Sequence, residues 1–166
     1  RNLGSGYTLE DKLIASDGQP FDTFGSSVAI SGDHVLIGAP GVDGSVSNSG
    51  AAYVFERSFL GFGEVARLTS SGQESEQFGA SVSIDGGRAL VGAPRATNVS
   101  DNDGVGYVFE GSGASWTETA RLGSDLGGME GARLGLSVSL DGGRALLGAP
   151  STTLRAWCES RGVPKA

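Results

Sequence analysis

The acidic side chains offer the first chemistry. Asp101-Asn102-Asp103, followed by Gly104, sets carboxylates on alternate positions of a turn. That oxygen-rich pattern suits calcium, although the terminal bidentate Glu of an EF-hand loop is absent. The same residues read as a solvated Asp/Asn turn, and that is the favoured reading. Asp43 with Ser45 and Asn48 repeats the theme with fewer oxygens. Acid pairs such as Asp17/Asp22 and Glu74/Glu76 are candidates for acid–base work on a glycan. Such work needs two carboxyls about 5–9 Å apart and one raised pKa, and no pair is singled out. His34 is the single imidazole and has no repeated acid or nucleophile beside it, so it is not expected to act as a general base. Cys158 is the single thiol, which leaves no internal disulfide framework and no multi-cysteine metal site. A buried free thiol is its default, and a bridge between subunits the alternative. Asn98-Val99-Ser100 fits the N-glycosylation acceptor pattern on a surface loop, for a eukaryotic secreted protein.

The elements that must hold these residues come in repeats. Residues 24–40 read FGSSVAISGDHVLIGAP, residues 78–94 FGASVSIDGGRALVGAP, and residues 134–150 LGLSVSLDGGRALLGAP. Residue 78 follows residue 24 by 54 positions, and residue 134 follows residue 78 by 56. Tyr53-Val54-Phe55 recurs as Tyr107-Val108-Phe109, and Ala66-Arg67-Leu68 as Ala120-Arg121-Leu122. Four short apolar runs per repeat, split by Gly, Ser and Asp, predict a four-stranded module, and no helical period competes with it. In Ser26–Ile30 and Ser81–Ile84 small polar residues alternate with Val and Ile, as in a strand facing two environments. Ser31-Gly32-Asp33, Asp85-Gly86-Gly87 and Asp141-Gly142-Gly143 then supply the positive φ of tight hairpins. The strand that follows is nearly all apolar and is expected to be buried on both faces. It ends at Pro40, Pro94 and Pro150, which have no N–H for a ladder.

Composition fits this plan and removes rival classes. The chain has 166 residues, 29 of them glycine, with 12 Lys+Arg against 19 Asp+Glu and a net charge of −7. The acidic balance argues against nucleic acid, which asks for clustered cations. No apolar run is long enough to span a membrane, so no membrane insertion is expected. The first residues, RNLGSGYTLEDK, hold no signal peptide within this chain.

The pairing of Phe24-Gly25 with Gly38-Ala39-Pro40, and of Phe78-Gly79 with Gly92-Ala93-Pro94, resembles the FG-GAP repeat. The third copy departs at Leu134-Gly135. The resemblance covers residues 7–150 and implies an all-β, β-propeller fold like that of integrin α-chains. It assigns the last strand of a blade to 7–15, repeat one to 24–70, repeat two to 78–123 and a partial repeat three to 134–150. Residues 151–166 form an atypical tail in which 154–159 could supply a final strand. A β-solenoid or stacked sandwich is the alternative, and units of ~54 residues disfavour it. Many relatives hold calcium in the hairpin before the GAP strand. Here Asp33, Asp85 and Asp141 give that hairpin a single carboxylate each, so no metal or other cofactor is expected there.

Strand parity places the long loops 15–23, 41–50, 70–77, 95–104 and 124–133 at one end. Asp17, Asp22, Asp43, Glu74, Glu76, Asp101, Asp103, Asp125 and Glu130 gather on them against Arg95 and Arg133, an acidic face expected to bind. Phe24 and Phe78 are expected to pack between blades. Tyr53, Phe55, Tyr107 and Phe109 are expected to send one large side chain to each neighbouring surface. About three blades are too few for a ring, so the chain is either part of a longer protein or an oligomer closing between subunits. The resemblance implies an extracellular or cell-surface module, periplasmic in a bacterium. It would be non-catalytic and bind a protein, a glycan or copies of itself. A self-assembling ring or filament and a glycan-active enzyme are the alternatives.

Overall fold

The structure, a computed structural model, describes residues 9–44, 46–72, 75–98, 102–123 and 130–150, with the backbone of 157–162. These residues form strands and turns and no helix. The first sheet holds β1 (Ser27–Ser31), β2 (His34–Ala39), β3 (Ala51–Ser58) and β4 (Gly61–Leu68), in that order and antiparallel. The second repeats it with β5 (Ser81–Asp85), β6 (Arg88–Ala93), β7 (Val105–Ser112) and β8 (Ser115–Gly123). The third holds β9 (Ser137–Asp141), β10 (Arg144–Ala149) and β11 (Trp157–Gly162). Both outer hairpins carry a register shift at the same point, Val54/Phe55 and Val108/Phe109. One extra residue there strengthens the right-handed twist of the outer strands.

Register assigns each side chain to a face. Val28, Ile37 and Tyr53 share one face of the first sheet, as do Ile30, Val35 and Phe55; Leu36 and Val54 take the other. That second face packs on Val82, Ile84, Ala89, Val91, Tyr107 and Phe109 of the second sheet. Leu90 and Val108 on the far side of the second sheet meet Leu140, Ala145 and Leu147 of the third. The apolar GAP strands β2 and β6 are therefore largely buried from both sides, whereas β10 is covered on one. One expectation needs correcting: Tyr53 and Phe55 lie two residues apart and so point the same way, and Val54 serves the neighbouring sheet. Phe78 packs edge-on against Tyr107 (5.4 Å) and Phe109 (5.9 Å), and Phe24 does the same with Tyr53 (5.5 Å) and Phe55 (6.2 Å).

The innermost strands approach more closely than Cβ atoms permit. A Cβ on Gly38 would fall far inside contact distance of the Gly79 carbonyl oxygen, and one on Gly92 would meet the Gly135 oxygen in the same way. Those carbonyls accept hydrogen bonds from the Ser27 hydroxyl (2.8 Å) and the Ser81 hydroxyl (2.6 Å). Gly79 and Gly135 hold φ of 90° and 85°, the left-handed region that favours glycine. Glycine on one sheet and glycine plus serine on its neighbour thus define how the sheets stack.

The stack has two uncovered faces. Val28 and Ile30 are 67% and 69% exposed, whereas Val82 and Ile84 at the same positions of the second sheet are 8% and 6% exposed. Leu146, the counterpart of buried Leu36 and Leu90, is 39% exposed. Residues 9–15 are not a strand, contrary to expectation. Among the described residues no strand pairs with them, and a segment without ladder hydrogen bonds is not a strand. They lie instead against the first sheet, where Leu13 and Ala15 pack on the cluster of Ile37, Tyr53 and Phe55. The expected final strand is found three residues later, at 157–162, with Cys158 opposite Gly148.

Gly92→Ala should destabilise the fold by about 1–3 kcal/mol through overpacking against backbone. Gly63→Ala, where a Cβ meets nothing, should be neutral or slightly stabilising. Urea unfolding of the two variants checks this, and equal losses would refute the close-approach account.

Candidate functional site: the loop end

Tight two-residue turns join β1 to β2 and β3 to β4, so antiparallel geometry sends every long loop to the opposite end. These loops are bound to one another. Gly41 N–H donates to the Asp22 carbonyl (3.1 Å), Phe78 N–H to Ser49 (3.1 Å), Arg95 N–H to Glu76 (3.2 Å) and Leu134 N–H to Asp103 (2.9 Å). Parallel bridges Gly50↔Phe78 and Gly104↔Leu134 join each loop to the entry of the following sheet. Thr23, Gln77 and Arg133 repeat one left-handed position, with φ of 56°, 55° and 55°. The loops are a built surface, with the same hydrogen bonds in successive repeats.

The carboxylates expected on that surface are largely turned to their own chain. Asp17 accepts from the Tyr53 hydroxyl (2.8 Å) and faces Arg67 (3.5 Å). Asp22 accepts from Gln19 N–H (2.7 Å), and Asp43 from Asn48 N–H (2.9 Å). Glu76 is buried and accepts from the Tyr107 hydroxyl (2.8 Å). Asp103 is fully buried and accepts from Asn98 N–H (2.7 Å). Asn102 is exposed, and Glu130 lies exposed at the same end. Glu74, Asp101 and Asp125 lie outside the described residues. Asn98 is exposed at its backbone turn with its amide against Gly123, while Val99 and Ser100 lie outside the description.

The two tyrosines show the electrostatic consequence. Burial, with Glu76 beside it, pushes the Tyr107 phenol well above its ordinary 10.0; burial with Asp17 does the same to Tyr53. Arg121 lies over the Tyr107 ring at 5.7 Å and donates to the Thr97 carbonyl (2.7 Å). At the hairpin end, Asp85, Gly87, Arg88, Glu110 and Gly142 line an open hollow of about 430 Å³. Arg88 and Glu110 neutralise each other there at 2.7 Å.

The hairpin carboxylates are turned to their own chain. Asp85 directs its carboxylate to Gly142 N–H (2.8 Å), and Asp141 directs its own to Arg144 (3.4 Å). Among the described residues no three acids, histidines or cysteines gather as metal ligands. His34, at the start of β2, sits edge-on to Trp116 at 6.4 Å, a contact between the first two sheets.

Phe21 is the residue that motif reading missed. Gln19-Pro20-Phe21-Asp22 closes with Asp22 N–H on the Gln19 carbonyl (3.3 Å). Proline at the second position and φ of 77° at Phe21 make this a type II turn, whose third position normally takes glycine. Phe21 occupies it at 93% exposure. Pro20 signalled a turn, but nothing local signalled its type.

Antiparallel four-stranded sheets, stacked face to face through Gly-Ala-Pro strands and Phe-Gly entries, define an all-β repeat protein. The family model for the FG-GAP repeat matches residues 7–55 and 62–109, more than half of the chain, and the chain belongs to that family. No curated protein matches it.

Tyr107→Phe should destabilise by about 1–3 kcal/mol, because Glu76 stays buried without its hydroxyl donor. Tyr53→Phe should cost less, since exposed Asp17 regains water. A phenol whose folded pKa is raised protects the fold below its unfolded value and loses that effect as pH rises through the folded one. Wild-type stability should therefore fall as pH climbs above 10.0, and the double Tyr→Phe variant should show a flatter decline in chemical denaturation.

Proposed function

We propose that this chain is an extracellular, non-catalytic β-propeller module, its sheets the blades, that binds a protein or a glycan through its loop end. The observation that carries the reading is Phe21: a bulky aromatic held at 93% exposure in a left-handed turn position. Left-handed backbone costs a non-glycine residue roughly 1–2 kcal/mol, and such strain concentrates where ligands are held. A rigid aromatic with little conformational freedom to lose suits both a protein pocket and the apolar face of a sugar ring. Asp22 and Gln19 clamp the turn, and Gly41 ties it to the next loop, so the tip is presented ready for binding. Asp17, Asp22 and Asp43 then act chiefly as supports of the surface.

Family membership supports the cell-surface placement, periplasmic in a bacterium. Among the described residues no helix is long and apolar enough to cross a membrane.

The test is an array of cell-surface glycans and extracellular proteins probed with the immobilised chain. Phe21→Gly should weaken a recovered interaction at least about 30-fold, the loss of a hot-spot aromatic. The same substitution should raise stability by about 0.5–1 kcal/mol, turn strain relieved being partly offset by glycine's unfolded-state entropy. Phe59 and Leu60, exposed on the turn after β3 at the opposite end, provide the control. Binding that survives Phe21→Gly but is lost in Phe59→Ser/Leu60→Ser would overturn the loop-end assignment. Turnover of any arrayed glycan would overturn the non-catalytic one.

A further inference from the structure

The turn between β3 and β4 sets Phe59 and Leu60 side by side at 95% and 83% exposure. Two large apolar side chains held in water run against the force that buries the rest of the core. Stacking of repeats does not account for them. The same turn of the second sheet has a complete four-stranded sheet packed before it, yet Ser112, Ala114 and Ser115 are exposed there. By the same geometry a repeat preceding the first sheet leaves Phe59 and Leu60 in solvent. Nor does the turn itself ask for bulk, since Gly113 and Ala114 make it in the second sheet.

The pair is held out on a firm support. β3 and β4 run on for Arg57 and Ser58 past the His34–Glu56 pair that ends β2, which carries the turn about 7 Å beyond that end. The Ser58 hydroxyl accepts from Leu60 N–H (3.2 Å) and donates to the Gly61 carbonyl (3.0 Å), fixing the backbone under both side chains. Charges collar the base of this hairpin. Arg57 pairs with Glu10 and donates its N–H to the Asp33 carbonyl (2.8 Å), and Asp11 accepts from Phe62 N–H (3.3 Å). With Glu56, four carboxylates stand there against Arg57 and the exposed Lys12. Among the described residues Asp11, Asp33 and Glu56 make no ion pair.

We propose that this tip docks the protein on the surface of a phosphatidylcholine bilayer. Phe59 and Leu60 enter the boundary between headgroups and acyl chains, as the apolar side of an interfacial segment does. The acidic collar then stands at the level of the cationic choline groups, and it repels an anionic lipid surface. Area favours a bilayer over a protein pocket. A stable protein interface takes roughly 800 Å² from each partner, and this end offers two apolar side chains ringed by charge, whereas a bilayer asks for the tip alone. The attachment is peripheral and reversible, weaker than the roughly 10⁴ M⁻¹ of a single myristoyl chain. It lies at the end opposite Phe21 and does not rest on the loop-end reading.

Co-sedimentation of the 166-residue chain with phosphatidylcholine vesicles at millimolar lipid tests it. Wild type should pellet with the vesicles. Phe59→Ser/Leu60→Ser should lower the partition coefficient at least about tenfold, with an unchanged far-ultraviolet spectrum. Phe59→Trp should keep the binding and shift its emission to the blue when vesicles are added. Phe21→Gly should bind as wild type does, which separates this contact from the loop end. Replacing part of the lipid with phosphatidylglycerol should weaken binding. A wild type that stays in the supernatant, binding that survives the double substitution or is lost in Phe21→Gly, or binding that strengthens with phosphatidylglycerol would overturn the proposal. So would a double variant that loses an arrayed protein when wild type binds no vesicle, because the tip would then belong to a protein pocket.

Discussion

The fold depends on how closely two neighbouring sheets approach at their innermost strands. Removing Cβ at Gly38 and Gly92 lets a carbonyl of the following Phe-Gly or Leu-Gly turn enter. That oxygen would be buried without water, a costly state for a backbone acceptor. Ser27 and Ser81 supply the missing donors, and the left-handed glycine of the turn aims the carbonyl at them. Once this contact is made, Leu36 and Val54 are carried onto Val82, Ile84 and Tyr107. Each fully buried aliphatic side chain then contributes about 1.5–3 kcal/mol. A single sheet has no such neighbour and would leave its apolar faces in water. Stability in such an array belongs to contacts between units at least as much as to the units.

The loop end follows from the same spacing. Because the sheets sit in one register, each long loop meets the entry of the next sheet and forms the same hydrogen bonds. The carboxylates that look like a ligand surface in one dimension become struts in three. Glu76 and Tyr107 make a buried pair, while Asp17 and Tyr53 make a part-buried counterpart in which Asp17 also faces Arg67. With Asp17, Asp22, Asp43, Glu76 and Asp103 engaged, a large side chain offered to solvent at this end is apolar, the Phe21 ring on its clamped turn.

Much of the fold was legible because its signals are local. Alternating Val and Ile with Ser, Asp-Gly hairpins and terminal prolines each act within a few residues, and their recurrence at about 54 positions removed ambiguity. The departures have different origins. Residues 9–15 have the composition of a strand but lie unpaired against the first sheet, and Tyr53 and Phe55, two residues apart, share one face by simple strand alternation. The engagement of Asp17 by Tyr53 spans 36 residues and that of Glu76 by Tyr107 spans 31. Residue type alone carries no sign of either.

The amino-acid order by itself determined the strands, their turns, the four-strand module and its family, because backbone conformation and side-chain alternation are set within a turn or two of chain. Only the tertiary structure decided which carboxylates serve the protein itself, which aromatic remains exposed, and which faces stay open. Those outcomes depend on the distance between groups far apart in the chain, and that distance exists only after the sheets have stacked.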